Sequence, residues 1–159
     1  MYITLDKYTA LYDPVEEKVF NRIAYDACRY IDEYTTGIDG VKKLKEAFPV
    51  DEDAVEAVSR CAAAVANFLI QIDAAERSAF AARGYSETAN GYQGKVVSSV
   101  SAGNESISFS SGDMKTAVDA ALSDQTERNK TVYNIVHNYL SGVSDANGVN
   151  LLYLGRYPV

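Results

Sequence analysis

The sequence contains one histidine, His137, which is the first residue to test for a role in catalysis. A Ser-His-Asp arrangement would need His137 and one particular serine, and nothing selects one among the many serines. His137 directly follows the apolar pair Ile135 and Val136, so a surface position on a helix is favoured. The sequence also lacks a glycine-rich phosphate loop and a nucleophile elbow. We therefore predict that the protein is not an enzyme and has no catalytic residues.

Residues that could bind a metal ion are few and poorly spaced. Asp145 and Asn147 resemble the first two ligands of a calcium loop, but the twelfth position is Arg156, where a bidentate glutamate is required. The two cysteines, Cys28 and Cys61, are too few for a zinc site, and both fall on apolar faces of predicted helices. We therefore predict buried thiols, no metal site and no cofactor.

The charge of the chain indicates which classes of partner it could bind. The formal net charge is −7, with 22 acidic and 15 basic residues, and no long basic tract is present. A large positive patch that binds DNA is therefore not expected. A small cluster, Lys42, Lys43 and Lys45, is typical of a solvated helix face. The first ten residues do not resemble a signal peptide, and the apolar stretch 61–72 is too short to span a bilayer, so we expect a cytosolic protein without membrane contact.

One long helix is predicted from Asp51 to Arg83, between Pro49 and Gly84. Apolar residues recur along it at steps of three and four, which is typical of a helix face; they are Ala54, Val55, Val58, Cys61, Ala62, Val65, Phe68, Leu69 and Ile72. Additional alanines extend the apolar surface to nearly all sides between about residues 61 and 72, so several neighbours must cover it. We expect other helices of the chain to cover part of this surface and other copies of the chain to cover the rest. The alternative is the central core helix of a monomer.

The rest of the helical core is predicted over residues 1–84 and 113–142, as an antiparallel bundle within a single domain, 1–159. Asp13, Pro14 and Glu16 have the spacing of a capping box that starts a helix ending near residue 34. A short helix over 39–47 is expected to point Leu44 and Phe48 inward. The predicted helices outside the long one cover residues 5–12, 13–34, 39–47, and two segments within 113–142 that divide near Asp124.

Two segments lack helical periodicity. Residues 85–112 are rich in serine and glycine, and alternation around residues 96–109 favours a small extended or β-hairpin arm, with a disordered linker as the alternative. Residues 143–159 form a short apolar tail after the last helix, which is expected to fold back on its own domain or to dock on a partner. The predicted fold class is therefore mainly α, a helical bundle with one long central helix and a small arm.

The order of these segments resembles the head–tail connector proteins of tailed phages and prophages, also known as head-completion or adaptor proteins. The resemblance lies in the opening ITLDKYTALY, the segment GKVVSSVSAGNESISFSSG and the tail LLYLGR. One departure is Val100, which stands where the family often has an acid. The residues that the resemblance assigns to a loop facing neighbouring subunits or the channel are Lys95, Val96, Ser98, Val100, Gly103, Asn104, Ile107 and Phe109.

The resemblance implies a homo-oligomeric ring of about twelve subunits, stacked on the portal protein after DNA packaging. The ring would extend the DNA channel and present a platform for a tail or stopper protein. DNA would pass through without sequence-specific binding. The protein would be made in the bacterial cytoplasm and would act in the virion neck. The residues that this assigns to docking on the portal are Leu151, Leu152, Tyr153, Leu154, Arg156 and Tyr157.

Two functions are alternatives to that of a connector-ring subunit. One is another phage neck or tail-terminator protein, or a small assembly chaperone, which would share the helical fold and the apolar tail. The other is a small hydrolase, which would need His137 or a cysteine to act in catalysis.

Overall fold

The structure is a computed structural model that describes residues 1–82, 85–88, 91–94 and 117–158. The chain is mainly helical, which confirms the predicted fold class at that level. The elements in chain order are α1 (Leu5–Thr9), α2 (Glu17–Tyr34), α3 (Lys43–Glu46), α4 (Glu52–Ala82), β1 (Tyr85–Thr88), β2 (Gly91–Gly94), α5 (Ala117–Ser123) and α6 (Gln125–Leu140).

Helix α4 is the centre of the bundle and packs against α2, α5 and α6. The alanine-rich part of α4 is buried within the single chain: its fully buried residues include Cys61, Ala62, Ala63, Val65 and Ala66. Ala64 is partly exposed. Helices of the same chain therefore cover most of this surface, and the expectation that other copies cover the rest stays a prediction. Small side chains let the neighbouring helices approach α4 closely, so one protomer encloses its middle.

Helix α2 begins later than its predicted capping box. Glu16 occupies the N-cap position and makes no capping hydrogen bond with its side chain, so Asp13 does not cap this helix. Pro14 lies in the irregular segment before the helix. The buried side of α2 follows the predicted periodicity and includes Ile23, Ala27 and Ile31.

The short helix α3 covers only part of the predicted range, and its exposure differs from the prediction. Leu44 is buried, as predicted, but Phe48 is exposed and stacks against Tyr2 with 5.8 Å between ring centroids. Lys43 is fully buried, so the prediction of a solvated lysine face is wrong at this position. Lys45 does reach the surface, where its Nζ lies 3.1 Å from Oδ2 of Asp32.

The last two helices are separated by a cap that the sequence indicates. The Asp124 side chain accepts a hydrogen bond of 2.7 Å from the backbone N–H of Thr126 at the start of α6. Gly142, with a φ of +82°, follows the end of α6 and reverses the chain direction in a conformation that favours glycine. The division near Asp124 is therefore confirmed.

Strands β1 and β2 form one antiparallel pair, in which Tyr85 pairs with Gly94 and Thr88 with Gly91. The predicted arm was centred on residues 96–109, and that segment lies outside the described residues. The arm therefore stays a prediction.

Candidate docking site at the C-terminal tail

The tail returns to the start of α3, where Lys43 connects three parts of the chain. Its ammonium group donates hydrogen bonds to the carbonyl oxygens of Thr35 and Leu151, each at 3.1 Å, and to that of Tyr153. Burial lowers the pKa of Lys43, and the carboxylates of Asp145 and Asp39 act in the opposite direction. Lys43 therefore satisfies carbonyl groups at the end of α2 and in the tail at the same time.

A second set of hydrogen bonds joins the tail to the turn after α6. The Tyr157 hydroxyl donates to Oδ2 of Asp145 at 2.6 Å and accepts from the Asn147 amide at 2.9 Å. The other oxygen of Asp145 accepts from the backbone N–H groups of Asn147 and Val149, both at 2.9 Å. The hydrogen bond to Asp145 raises the pKa of Tyr157. The aspartate that resembles a calcium ligand is thus the acceptor of a hydrogen-bonded turn.

A third contact runs to the loop between α2 and α3. Oδ2 of Asp39 accepts a hydrogen bond of 2.6 Å from the backbone N–H of Tyr157, and Oδ1 accepts one of 3.2 Å from Val41. These N–H donors hold the pKa of Asp39 below its ordinary value, with the one from Tyr157 contributing most. The N–H of Ile38 donates to the carbonyl oxygen of Leu154 at 3.0 Å.

The tail and this loop together present three exposed apolar side chains. Ile38 is 84% exposed, Leu154 68% and Tyr153 52%. The N–H of Ile38 is hydrogen bonded to the carbonyl oxygen of Leu154, so these two exposed residues lie beside each other although they are far apart in sequence. We call Ile38, Tyr153 and Leu154 the apolar ridge.

The six residues predicted to dock on a partner differ in their exposure to solvent. Leu151 and Tyr157 are buried within the chain, so neither is available to a partner, and their assignment to docking needs correction. Leu152 is half-buried, whereas Tyr153, Leu154 and Arg156 are exposed. The difference arises because the tail folds back on its own domain, so that some of its side chains pack inward while others face solvent.

The residues predicted to face a channel or a neighbouring subunit all lie outside the described residues. They are Lys95, Val96, Ser98, Val100, Gly103, Asn104, Ile107 and Phe109. Their role stays a prediction.

The other residues tested for chemistry lie apart from the ridge. His137 is exposed, with its ring centroid 5.9 Å from that of Tyr133. Cys28 is half-buried and accepts a hydrogen bond from the N–H of Tyr2, and burial raises the pKa of Cys61 to about 12. Within the part of the chain that the structure describes, no group of three acidic, cysteine or histidine residues could hold a metal ion.

Sequence reasoning missed the residues that organise this site. Ile38 lies in a short turn without periodicity, and Lys43 belongs to a lysine cluster that is usually solvated. Asp39 offered one local indication, since an aspartate before a glycine is typical of a turn. Each of the three acquires its role only through contact with the tail, more than one hundred residues away in sequence.

The described part of the chain is mainly helical and exposes the apolar ridge beside its C-terminal tail. Comparison with family models, curated proteins and solved structures finds no match. One helix among the described residues, α4 from Glu52 to Ser78, is long and apolar enough to cross a membrane by length and composition, but half of that stretch is buried inside the protein. The core helix of a water-soluble bundle has the same length and composition, so this observation is weak evidence for a membrane-spanning helix.

Proposed function

We propose that the chain is a structural subunit of a connector ring in a tailed phage or prophage. In this role it joins the portal of the DNA-filled head to a tail or stopper protein and extends the DNA channel. The proposal combines the resemblance of the sequence to head–tail connector proteins with the surface around the tail. The protein acts in the virion neck after synthesis in the host cytoplasm, and its partners are other copies of itself, the portal and a tail component.

The observation that carries the proposal is the apolar ridge. An isolated exposed leucine is unremarkable, but here three exposed large apolar residues lie on adjacent stretches of backbone that a hydrogen bond joins. Lys43 donates a hydrogen bond to the carbonyl oxygen of Tyr153, and the N–H of Ile38 donates one to the carbonyl oxygen of Leu154. These hydrogen bonds fix the backbone of the ridge. A surface that is ordered before binding loses little conformational entropy when a partner covers it. The ridge is therefore assigned to the portal contact.

The middle of α4 does not support the proposal, because the chain covers its own alanine-rich surface. Contacts between subunits in a ring must then use other surfaces. This removes one reason for expecting a ring and leaves the ridge and the resemblance as the support.

The direct experiment measures binding to a purified portal protein by sedimentation and by negative-stain microscopy. We expect Ile38→Asp and Leu154→Asp to weaken binding by at least about tenfold, because each places a charge where apolar area is buried. Val50→Asp is the matched control, since Val50 is 80% exposed but outside the ridge. Wild-type protein that never binds a portal would overturn the proposal, and equal effects of all three variants would overturn the assignment of the ridge.

A phage lysate distinguishes this function from that of a tail-terminator protein. Without a connector, heads that have packaged DNA should leak it and lack tails. Without a tail protein, filled heads should remain stable. Electron microscopy of a lysate in which the gene is deleted should therefore reveal empty, tailless heads, and stable filled heads would favour the alternative.

A further inference from the structure

A cleft near the N-terminus carries positive charge on an otherwise acidic protein. The cleft has a volume of about 280 Å³, and the side chains that line it include Tyr2, Tyr25, Arg29, Lys42 and Lys45. Tyr25 is 69% exposed and offers an aromatic face at the edge of the cleft. We call this surface the basic cleft.

The positive charge of the basic cleft is only partly balanced. Among the described residues that line it, Asp32 is the one carboxylate, and it pairs with Lys45 at 3.1 Å. Arg29 lies 3.8 Å from Asp26, a long distance for an ion pair between exposed groups. The structure gives Lys42 no ion-pair partner among the described residues. The cleft therefore attracts an acidic group from outside.

An acidic segment lies at the opposite end of α2. Asp13, Glu16 and Glu17 are exposed, and no described ion pair includes any of them. Residues 13–16 are irregular, and the Glu16 side chain makes no capping hydrogen bond. This short stretch, residues 13–17, therefore presents three free carboxylates on a backbone that is not confined to a helix until its last residue. We call it the acidic segment.

The two surfaces cannot meet within one protomer. Glu17 is the first residue of α2 and Arg29 lies in the cleft on the same helix, and 12 helical steps separate them by about 18 Å. A contact between the acidic segment of one copy and the basic cleft of the next is therefore heterologous. Repeated contacts of this kind give a closed ring or an open filament.

We propose that the basic cleft binds the acidic segment of a second copy of this chain. The carboxylates of residues 13–17 pair with Arg29 and Lys42, and the exposed ring of Tyr25 covers the stems of these side chains. This inference rests on the proposed function for its biological setting, where it supplies the contact between neighbouring subunits of the ring. It uses surfaces separate from the apolar ridge.

The test measures self-association of the full chain by sedimentation velocity, without a portal, at low and high salt. We expect wild-type association to weaken as salt rises, because exposed charges are screened. A cleft variant, Arg29→Glu/Lys42→Glu, and a segment variant, Glu16→Lys/Glu17→Lys, should each associate about tenfold or more weakly. When the two variants are mixed, the intact cleft of one should bind the intact acidic segment of the other and restore a salt-sensitive complex.

Lys130→Glu is the control for a change in net charge, because Lys130 is exposed on α6 and should leave association unchanged. A wild-type chain that stays monomeric at every salt concentration would overturn the proposal. So would association that both double variants retain. If portal binding persists in either case, the proposed function stands and only this contact fails.

Discussion

The ammonium group of Lys43 lies 3.1 Å from the carbonyl oxygen of Leu151, a residue 108 positions further along the chain. This hydrogen bond joins the short helix α3 to the C-terminal tail. It also holds the tail against the domain, because the carbonyl oxygens of Leu151 and Tyr153 both accept hydrogen bonds from Lys43. The tail is consequently part of the folded domain, while the apolar ridge on its outer side remains available to a partner.

Leu151→Ala should destabilise the isolated protein, in contrast to a tail that acts only in docking. Leu151 is fully buried, and the cavity left by its side chain should cost about 2–4 kcal/mol of unfolding free energy. Leu154→Ala is the matched control within the same tail, with a change within about 0.5 kcal/mol because Leu154 is exposed. Urea denaturation of both variants provides the measurement. Equal, small effects would place the whole tail outside the folded core.

Lys43→Met should also destabilise the protein, by about 2–4 kcal/mol, because it leaves the carbonyl oxygens of Thr35, Leu151 and Tyr153 without their donor. The methionine retains most of the apolar stem, so lost packing contributes little. Lys18→Met, at an exposed position of α2, is the control and should change stability by less than about 0.5 kcal/mol. A thermal unfolding curve for Lys43→Met identical to that of the wild type would contradict the role of this hydrogen-bonded amine.

Asp39 should make stability depend on acidic pH. Its folded-state pKa lies below the ordinary 3.8 because the N–H of Tyr157 donates to the charged carboxylate. The unfolded chain therefore binds the proton more readily, so the stabilisation is complete above the ordinary pKa and is lost as pH falls through the lowered value. Asp39→Asn should flatten this part of the profile in thermal unfolding between pH 2 and pH 7. Asp6→Asn, an exposed change in α1, should leave the profile close to that of the wild type.

Neighbouring alanines on α4 should respond differently to the same change. Ala63 is fully buried, and Ala63→Leu should cost about 1–3 kcal/mol through overpacking. Ala64 is partly exposed, so Ala64→Leu should cost clearly less. Chemical denaturation of the monomer, at a concentration where it does not self-associate, separates the two. Comparable losses would mean that the chain encloses α4 on all sides.

Much of the local structure could be predicted from the sequence, because its causes are local. The apolar periodicity of α2 and α4 gave their existence and buried faces, and Asp124 marked the start of α6 through a bond to a residue two positions away. The turn from Asp145 to Gly148 is equally local, because hydrogen bonds within the turn itself form it. The predicted cap at Asp13 was wrong: α2 begins after Glu16, whose side chain makes no capping hydrogen bond, so the favourable cap chemistry of Asp13 did not decide where the helix starts.

The sequence alone determined which helix faces avoid water, and only the tertiary structure decided what covers them. The periodicity of apolar residues in α4 is the same whether a helix of the same chain or a second copy of the chain buries the apolar face. Likewise, Leu151 and Leu154 are the same residue type in one short tail, yet one is buried and the other is exposed. Lys43 differs from Lys45 only by its distant partners. The physical reason is that burial depends on contacts between residues far apart in the chain, whereas helix propensity and capping depend on neighbours within a few positions.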